Sequence, residues 1–470
     1  MNSNNAQILE INEFRLQNLE LKSLKKSSKF KEKVNQHLIR VRSSAASSRF
    51  DESNLDDEDL KNKISTTTST SLDESTLPPA DRGFLAWRFV AIAFILEGLI
   101  WCPPLSFGVF LNYPPYTDMN PSLATSIGTV SSGILYGIGV ILTPLMERNP
   151  KLMLYLPSIG TLLCCLGWLG ASFSDKGWII LLFQGAIYGI GGGLLYYPVL
   201  VFVSEWWIDR RGLAGSLMFA GTSFFSLFYP LIVDWCVKNY GTSKTHRGMA
   251  VAWLIGLAPL IPFIHGRFPI SSKKQNRKKM GMYFTMPLFW MLNIINFIQS
   301  LAYFVPALFL PSYASLIGTP GGITLTIFSI ASFFGQIASG YLSDKYDLGC
   351  IISLTCIGSS LSIFLLWGFC KGKTMLLLFS FAYGIFSGGF SCLWHRFTML
   401  IAPSDSNSGK LIVFFALGRG LANTLTGPIS GHFLTIAGPG FGGYRLLINY
   451  CGTLMMICSA GIGIRMLQQK

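Results

Sequence analysis

The chain has 470 residues, of which 50% are hydrophobic and only 13% are charged, and its formal net charge at pH 7 is +14. A soluble domain carries about 25% charged residues, so this composition excludes an ordinary soluble fold. Because residues 1–86 hold 13 of the 37 Lys and Arg and 13 of the 23 Asp and Glu, the rest of the chain is poor in charge and is predicted to be a membrane domain.

Residues 1–86 are predicted to form a disordered cytoplasmic tail. A basic stretch over 22–49 is followed by an acidic one over 51–59 and a Ser/Thr-rich one over 66–75, and such blocks are typical of disordered segments. An amphipathic helix on the membrane surface is the alternative for the basic stretch. No apolar run in this region is long enough for a signal peptide, so we expect the first membrane span to direct insertion.

Apolar runs of spanning length follow one another after this tail. They occupy residues 87–111, 122–146, 152–172, 178–203, 212–236, 248–265, 284–312, 321–342, 349–370, 374–400, 409–434 and 446–466. Since about 20 apolar residues cross a bilayer as a helix, the chain is predicted to be an all-α membrane protein with twelve transmembrane helices. A basic cytoplasmic linker, 266–283, separates a six-helix bundle at 87–265 from a second one at 284–466, and a short cytoplasmic tail follows at 467–470.

The loops between the predicted helices carry basic residues unevenly. With both termini in the cytoplasm, thirteen Lys and Arg of these loops face the cytoplasm and seven face the opposite side, as the positive-inside rule requires. The net positive charge is therefore interpreted as orientation and contact with anionic lipid, and no nucleic-acid partner is expected. The ten cysteines lie in or beside apolar runs and are interpreted as small hydrophobic residues.

Sequence landmarks recur at nearly constant spacing and indicate an internal repeat. The triplet Tyr-Gly-Ile at 188–190 recurs at 383–385, an offset of 195 residues, and the segment 143–148 corresponds to 340–345, an offset of 197. The repeat predicts two six-helix bundles in parallel topology with a binding site between them, which is an arrangement of secondary transporters.

Two ionisable residues fall near the middle of predicted membrane helices. Glu97 lies ten residues into helix 1, and Arg419 lies nine residues beyond Lys410 in helix 11. A charged group at that depth costs at least about 2.5–3.5 kcal/mol, so each needs a reason. Arg419 is a candidate site for an anionic substrate and Glu97 for a proton or a cationic group. The alternative is that a neighbour neutralises each charge, which then stabilises helix packing.

Amide and aromatic side chains in the same helices are further candidates for substrate binding. Gln336 in helix 8 and Asn423, one turn beyond the arginine of helix 11, offer amide groups, with helix-packing hydrogen bonds as the alternative. Tyr196, Tyr197 and Trp394 lie at related positions of the two repeats. They are candidates for stacking on a planar substrate, with core or interfacial packing as the alternative.

The segment 340–345, with the sequence GYLSDK, resembles the G-x-L-[SA]-D-[RK] loop motif of the major facilitator superfamily. The resemblance implies a twelve-helix carrier that works by alternating access. It also implies a gating role for Asp344, placed against the positive N-terminus of helix 5, where Arg210 and Arg211 lie. The first-half copy at 143–148 matches the motif less well, with Thr143 in place of the glycine and Glu147-Arg148 in place of Asp-Arg, and it leaves open whether the first half has an equivalent gating contact.

A narrower resemblance involves the start of helix 1 and the loop between helices 4 and 5. Residues 206–214, WWIDRRGLA, are similar to the [YFW]-[FW]-x-K-R-R-x-L-A signature of the monocarboxylate porter family, and residues 81–87, DRGFLAW, to its D-G-G-[YF]-G-W segment. Parts of helices 8, 10 and 11 are similar to the fungal branch of that family. Animal members carry a lysine near Leu105 and an arginine near Gln336. Neither cation is present here, so the resemblance does not imply lactate or pyruvate as substrate.

The sequence as a whole is interpreted as a secondary active transporter of a small organic solute, which is a monocarboxylate-like or other organic anion or a planar metabolite. Proton symport is the mode that the family resemblance implies. The expected partners are the solute, a proton and the lipid bilayer, and the protein is expected to be a monomer in the plasma membrane, with the vacuolar or another internal membrane as the alternative. A uniporter or exchanger for a neutral metabolite such as a vitamin, and a membrane nutrient sensor that does not transport, are the alternative functions.

No metal-ligand spacing, nucleophile elbow or carboxylate pair is found in the sequence, so neither an enzyme nor a cofactor is expected.

Overall fold

The computed structural model describes residues 78–207, 210–268, 280–401, 408–437 and 441–459. Its regular structure is helical, and the described residues contain no β-strand. Most of the predicted N-terminal tail, most of the predicted linker and the last eleven residues lie outside the described part. The predictions made for those segments therefore stay predictions.

Twelve helical stretches of the described chain are numbered α1 to α12 in order. They are α1 Gly83–Asn112, α2 Pro121–Arg148, α3 Leu152–Ala171, α4 Gly177–Trp206, α5 Arg211–Tyr240, α6 Thr242–Phe263, α7 Pro287–Leu316, α8 Gly321–Lys345, α9 Leu348–Trp367, α10 Lys373–Leu393, α11 Ser408–Ala437 and α12 Phe441–Cys458, with the short helix Trp394–Ile401 continuing α10. The first eleven are long and apolar enough to cross a membrane. The last predicted run, 446–466, extends beyond the described end of α12.

The two halves of the chain repeat the same helix contacts. We call α1–α6 the N half and α7–α12 the C half. Gly189 in α4 lies so close to α2 that a Cβ atom on it would be 2.7 Å from the carbonyl oxygen of Ser131. Gly384 in α10 lies against α8 in the same way, with 2.5 Å to the carbonyl oxygen of Phe328. Both glycines permit equivalent close packing, which supports the internal repeat inferred from the sequence.

The halves meet mainly through α2 with α11 and α5 with α8. Three hydrogen bonds between described residues join them at the end of the molecule where α1 finishes, which we call the Asn112 end. They run from Ser312 Oγ to Asn112 Oδ1, from Thr125 Oγ1 to the carbonyl oxygen of Gly427 and from Thr326 Oγ1 to the carbonyl oxygen of Leu227, each at 2.9 Å. The halves are therefore closed on each other at this end, which is the outer face under the predicted orientation.

The segment between α1 and α2 is held onto the N half. The Tyr113 hydroxyl donates a 2.8 Å hydrogen bond to Asp234 Oδ1 in α5, and the Thr242 hydroxyl donates one to the carbonyl oxygen of Pro114. Burial and the neighbouring Asp234 carboxylate raise the pKa of Tyr113 to about 12. The phenol therefore keeps its proton across physiological pH, and titration of Tyr113 does not break this contact.

We expect the substitution Gly108→Ala to open the Asn112 end. Gly108 in α1 lies so close to α7 that a Cβ atom would be 2.2 Å from the carbonyl oxygen of Leu308, so the two helices must separate. Overpacking costs about 1–3 kcal/mol, which shifts the ratio of open to closed molecules by roughly 5- to 150-fold. The measurement is labelling of a Leu111→Cys reporter by a membrane-impermeant maleimide, above the background of the native cysteines.

The matched control for this experiment is Gly248→Ala in α6. A Cβ atom at Gly248 meets nothing within 4 Å, so this variant is expected to label at the unaltered rate. Equal labelling of the Gly108 and Gly248 variants contradicts the prediction.

Candidate functional site

A cavity lies between the two halves near the middle of the helices. The empty space there is about 450 Å³, a volume that includes space open to solvent. The lining residues are Glu97, Trp101, Leu105, Tyr136, Phe219 and Thr222 from the N half, and Tyr303, Phe304, Gln336, Gly388, Ser391, Arg419 and Asn423 from the C half. Four of the seven predicted substrate-binding residues therefore share one cavity.

Arg419 on α11 is the positive charge of this cavity. Its side chain is only 2% exposed, and its Nη1 donates a 3.2 Å hydrogen bond to Gln299 Oε1 on α7. Three aromatic rings surround the guanidinium, with centroid distances from Cζ of 4.7 Å to Tyr303, 5.8 Å to Trp394 and 5.9 Å to Tyr136. No described carboxylate forms an ion pair with it. A guanidinium that contacts rings, the Gln299 amide and the Tyr136 hydroxyl, but no described carboxylate, remains able to bind an anion.

Glu97 on α1 is the carboxyl group of the cavity. It is 3% exposed, and its Oε1 accepts a 3.4 Å hydrogen bond from the Thr222 hydroxyl on α5. Glu97 belongs to the N half and Arg419 to the C half, and the two do not pair with each other in the described structure. The cavity therefore holds a carboxyl group from the N half and a guanidinium from the C half.

The two predicted amides also line the cavity. Asn423 Nδ2 donates a 3.3 Å hydrogen bond to Ser132 Oγ on α2, across the halves. Its Oδ1 and the Oε1 of Gln336 are buried and have no hydrogen-bond partner in the described structure. A buried acceptor without a donor costs about 1–3 kcal/mol. These oxygens are therefore available to a substrate that brings N–H or O–H groups.

The three predicted aromatic residues lie outside the cavity lining. Tyr196 packs edge-on against Trp101 at 5.8 Å, and the Tyr197 hydroxyl donates to the carbonyl oxygen of Tyr136. The Trp394 ring contacts the guanidinium of Arg419, as given above, and its Nε1 donates a 2.9 Å hydrogen bond to Asn296. All three side chains touch cavity residues and support them from behind.

Several residues of the site were not found by sequence reasoning. Trp101, Tyr136 and Tyr303 line the cavity. Because aromatic residues are common throughout this chain, the sequence did not distinguish these three from the other aromatic residues. Asn296 and Gln299, which hold Trp394 and Arg419, are buried polar residues three positions apart on α7. Two amide side chains at helical spacing are unusual in a membrane helix, and this spacing is the feature by which the sequence could have identified them.

Two departures from animal monocarboxylate carriers lie in this cavity. Leu105 and Gln336 stand near the positions where those proteins carry a lysine and an arginine, and both residues line the cavity. The cation of this site comes from α11 instead.

One of the predicted gating residues contacts the segment that precedes α1. The backbone N–H of Arg210 donates a 3.0 Å hydrogen bond to Asp81 Oδ1, and the N–H of Asp81 donates to the carbonyl oxygen of Trp206. Nearby, the rings of Trp87 and Trp207 meet edge-on at 5.0 Å. The two sequence segments of the narrower resemblance therefore form one contact. The side chains of the other two gating candidates, Arg211 and Asp344, lie outside the described part of the chain.

We expect Asp81→Ala to destabilise this contact by about 1–3 kcal/mol. Asp81 has a positive φ of 57°, a conformation that costs an alanine roughly 1 kcal/mol or more, and its carboxylate hydrogen bond contributes about another 1 kcal/mol. Asp81→Asn is the control, because asparagine tolerates this φ and still accepts the hydrogen bond. The measurement is the apparent Tm of the purified protein. A lower Tm for alanine than for asparagine is expected, and equal Tm values contradict the prediction.

Sequence comparison relates the chain to a family of transporters. The sequence profile of the Major Facilitator Superfamily matches residues 105–372 and 292–467. The MFS-type transporter pynF of Aspergillus niger is 25% identical over 393 residues, covering 81% of this chain and 88% of the relative. The Fujikurins efflux protein of Gibberella fujikuroi is 25% identical over 401 residues, covering 83% of this chain and 84% of the relative.

Solved structures of transporters have a similar fold. The peptide transporter POT in complex with sulfate superposes with a TM-score of 0.64 at 14% identity, covering 85% of this chain and 98% of that chain. The D-xylose-proton symporter gives a TM-score of 0.62 at 15% identity, covering 80% of this chain and 97% of that chain. At these identities the similarity concerns the fold alone, and it confirms the predicted fold class.

Proposed function

Because the chain belongs to the Major Facilitator Superfamily and is a membrane transporter of that type, we propose that it carries a small organic anion together with a proton by alternating access. One observation supports this most directly. Arg419 and Glu97, opposite charges from the two halves, line one buried cavity without pairing with each other. The guanidinium binds the anion, and the carboxylate takes the proton.

The net charge of the cavity gives a physical reason for coupling. In the empty carrier, ionised Glu97 balances Arg419, and the net charge is zero. With an anion on Arg419 and a proton on Glu97, the net charge of the cavity is zero again. Binding of the anion alone gives a net charge of −1, and binding of the proton alone gives a net charge of +1. A net charge in a low-dielectric interior is costly, so the empty and doubly loaded carriers are the ones that change conformation readily. We infer one proton for each monovalent anion.

The direction of transport follows from the gradients rather than from the site. A carrier that moves anion and proton together runs inward or outward according to their combined gradients. Two relatives are named for export, the Fujikurins efflux protein and the Aspyridones efflux protein apdF of Emericella nidulans. Their names favour export of an organic product as the physiological direction of the proposed transport.

The finer assignments are part of this proposal. The contact of Asp81 with Arg210 and of Trp87 with Trp207 supports the monocarboxylate porter branch, because it joins the two segments that resemble that branch. The plasma membrane, the cytoplasmic termini and the monomeric state are retained as proposals. A neutral-solute uniporter fits less well, because it leaves the buried charge of Arg419 without a role in binding.

Transport by the purified full-length chain in liposomes tests this function. The panel contains short monocarboxylates, aromatic acids and riboflavin as a neutral vitamin, each measured with and without an inward proton gradient. We expect gradient-stimulated uptake of at least one acid, and the same uptake with or without an imposed membrane potential, because the proposed cargo is neutral as a pair. Potential-driven uptake contradicts the one-to-one coupling. Uptake of riboflavin alone supports the uniporter, and binding of a solute without flux supports the sensor.

A further inference from the structure

The hydrogen bonds around Asn423 determine which atom of its amide is available to a ligand. The Ser132 hydroxyl donates a 2.9 Å hydrogen bond to the carbonyl oxygen of Thr129, so Ser132 Oγ must act as the acceptor toward Asn423. This fixes the nitrogen of Asn423 toward Ser132, at 3.3 Å. The carboxamide oxygen, which has no partner among the described residues, is left as a hydrogen-bond acceptor.

Gln336 on α8 repeats this situation on another side of the cavity. Its side chain is 7% exposed, and its Oε1 is buried without a hydrogen-bond partner in the described structure. Together with Asn423 it supplies two amide acceptors in one cavity. A simple aliphatic carboxylate has no hydrogen-bond donor for these two oxygens. A solute with N–H or O–H groups forms hydrogen bonds that satisfy both its own donors and the two amide oxygens of the protein.

Aromatic side chains supply much of the remaining lining. Trp101 and Tyr136 from the N half have ring centroids 4.1 Å apart, and Tyr303 from the C half lies under the guanidinium of Arg419 at 4.7 Å. The N–H donors of a guanidinium lie in its own plane, and those of Arg419 that Gln299 and Tyr136 do not use are left for a ligand. A carboxylate binds in that plane, and a ring conjugated with the carboxylate lies against the aromatic side chains of the lining.

Resting on the proposed function, we infer that the preferred substrate is a flat, conjugated organic acid that also carries N–H or O–H donors. Its anionic oxygens bind Arg419, its ring lies among Trp101, Tyr136 and Tyr303, and its donors reach Gln336 and Asn423. The two halves thus share one ligand, since Trp101 and Tyr136 belong to the N half and the others to the C half. Short aliphatic acids use only the guanidinium and are poor substrates.

Three acids of similar size separate the parts of this inference. Indole-3-carboxylate is flat and carries an N–H donor, 1-benzothiophene-3-carboxylate is flat without that donor, and cyclohexanecarboxylate is neither flat nor a donor. Calorimetric titration of the purified full-length chain measures the affinity for each. We expect the indole acid to bind at least tenfold more tightly than the benzothiophene acid, and the cyclohexane acid to bind most weakly.

Variants of the two amides test where the donor is recognised. In the double variant Gln336→Leu with Asn423→Leu, the difference in affinity between the indole and benzothiophene acids is expected to fall below threefold. Ile337→Leu is the matched control, because Ile337 is 49% exposed and lies beside Gln336 in the sequence but outside the cavity lining. This control is expected to keep the tenfold difference.

The outcomes distinguish this inference from the function on which it rests. Equal affinities for the indole and benzothiophene acids overturn the role of donors, and equal affinity for the cyclohexane acid overturns the requirement for a flat ring. If acid binding in either case is still lost in Arg419→Met, the organic-anion function survives. If no acid binds the unaltered chain, or if binding ignores Arg419, the function and the inference are both overturned.

Discussion

The variant Arg419→Met is expected to bind organic acids at least about 100-fold more weakly and to lose their proton-driven transport. A hydrogen bond to a charged group contributes about 1.5–3 kcal/mol, and a guanidinium offers two to one carboxylate. Methionine fills a similar volume without the charge. Arg419→Lys keeps the charge but loses the paired geometry, so an intermediate loss of about tenfold is expected. Affinity and uptake are measured on the same purified variants.

The thermal stability of Arg419→Met separates a binding role from a structural one. Arg419 is buried, with the Gln299 amide and the Tyr136 hydroxyl as hydrogen-bond partners and no carboxylate in the described structure, so it costs desolvation energy that no ion pair offsets. Replacement by methionine is therefore expected to leave the apparent Tm unchanged or to raise it. A clear drop in Tm together with intact acid binding would mean that Arg419 stabilises the helix bundle and that the anion binds elsewhere.

The variant Glu97→Gln is expected to retain exchange of acid across the membrane but to lose net proton-driven uptake by at least about tenfold. Glutamine imitates the protonated carboxyl group, so the acid-loaded cavity stays neutral and changes conformation. The empty cavity now carries the unbalanced charge of Arg419. A net charge at that depth costs about 2.5–3.5 kcal/mol, which slows the return of the empty carrier. Counterflow of labelled acid and gradient-driven uptake are measured in parallel.

A second readout of Glu97→Gln is the effect of pH on acid binding. In the unaltered chain, an ionised Glu97 repels the bound anion, so binding is expected to strengthen as the pH falls and Glu97 takes a proton. The glutamine variant is expected to bind with an affinity independent of pH. Thr222→Val is the control, because it removes the 3.4 Å hydrogen bond to Glu97 and keeps the carboxylate. Gradient-driven uptake that persists in Glu97→Gln places the proton site elsewhere.

Hydropathy alone predicted the membrane helices to within a few residues in most cases. The run 152–172 became Leu152–Ala171, and 122–146 became Pro121–Arg148. The bilayer requires about 20 apolar residues in each helix, so each membrane helix can be recognised from the composition of its segment. The sixth helix was predicted from residue 248 but begins at Thr242. Its first turn is polar, and hydropathy does not detect polar residues that continue a helix beyond the apolar core.

The depth of a charge identified two residues of the candidate site, Glu97 and Arg419. Glu97 and Arg419 were chosen because charges inside apolar runs are expensive, and both line the cavity together with Gln336 and Asn423. The same reasoning did not find Tyr136, because an aromatic residue in a membrane helix has no such cost.

By itself, the sequence determined how many apolar segments this protein has, that they repeat in two halves, and which polar residues must be hidden from lipid. Only the tertiary structure decided which side chains share the cavity. It placed Trp101 and Tyr303 in the lining, and Tyr196 and Tyr197 behind it. The reason is that these helices are apolar on every face, so no hydrophobic periodicity marks the inner side. The direction in which a side chain points is set by packing against neighbouring helices.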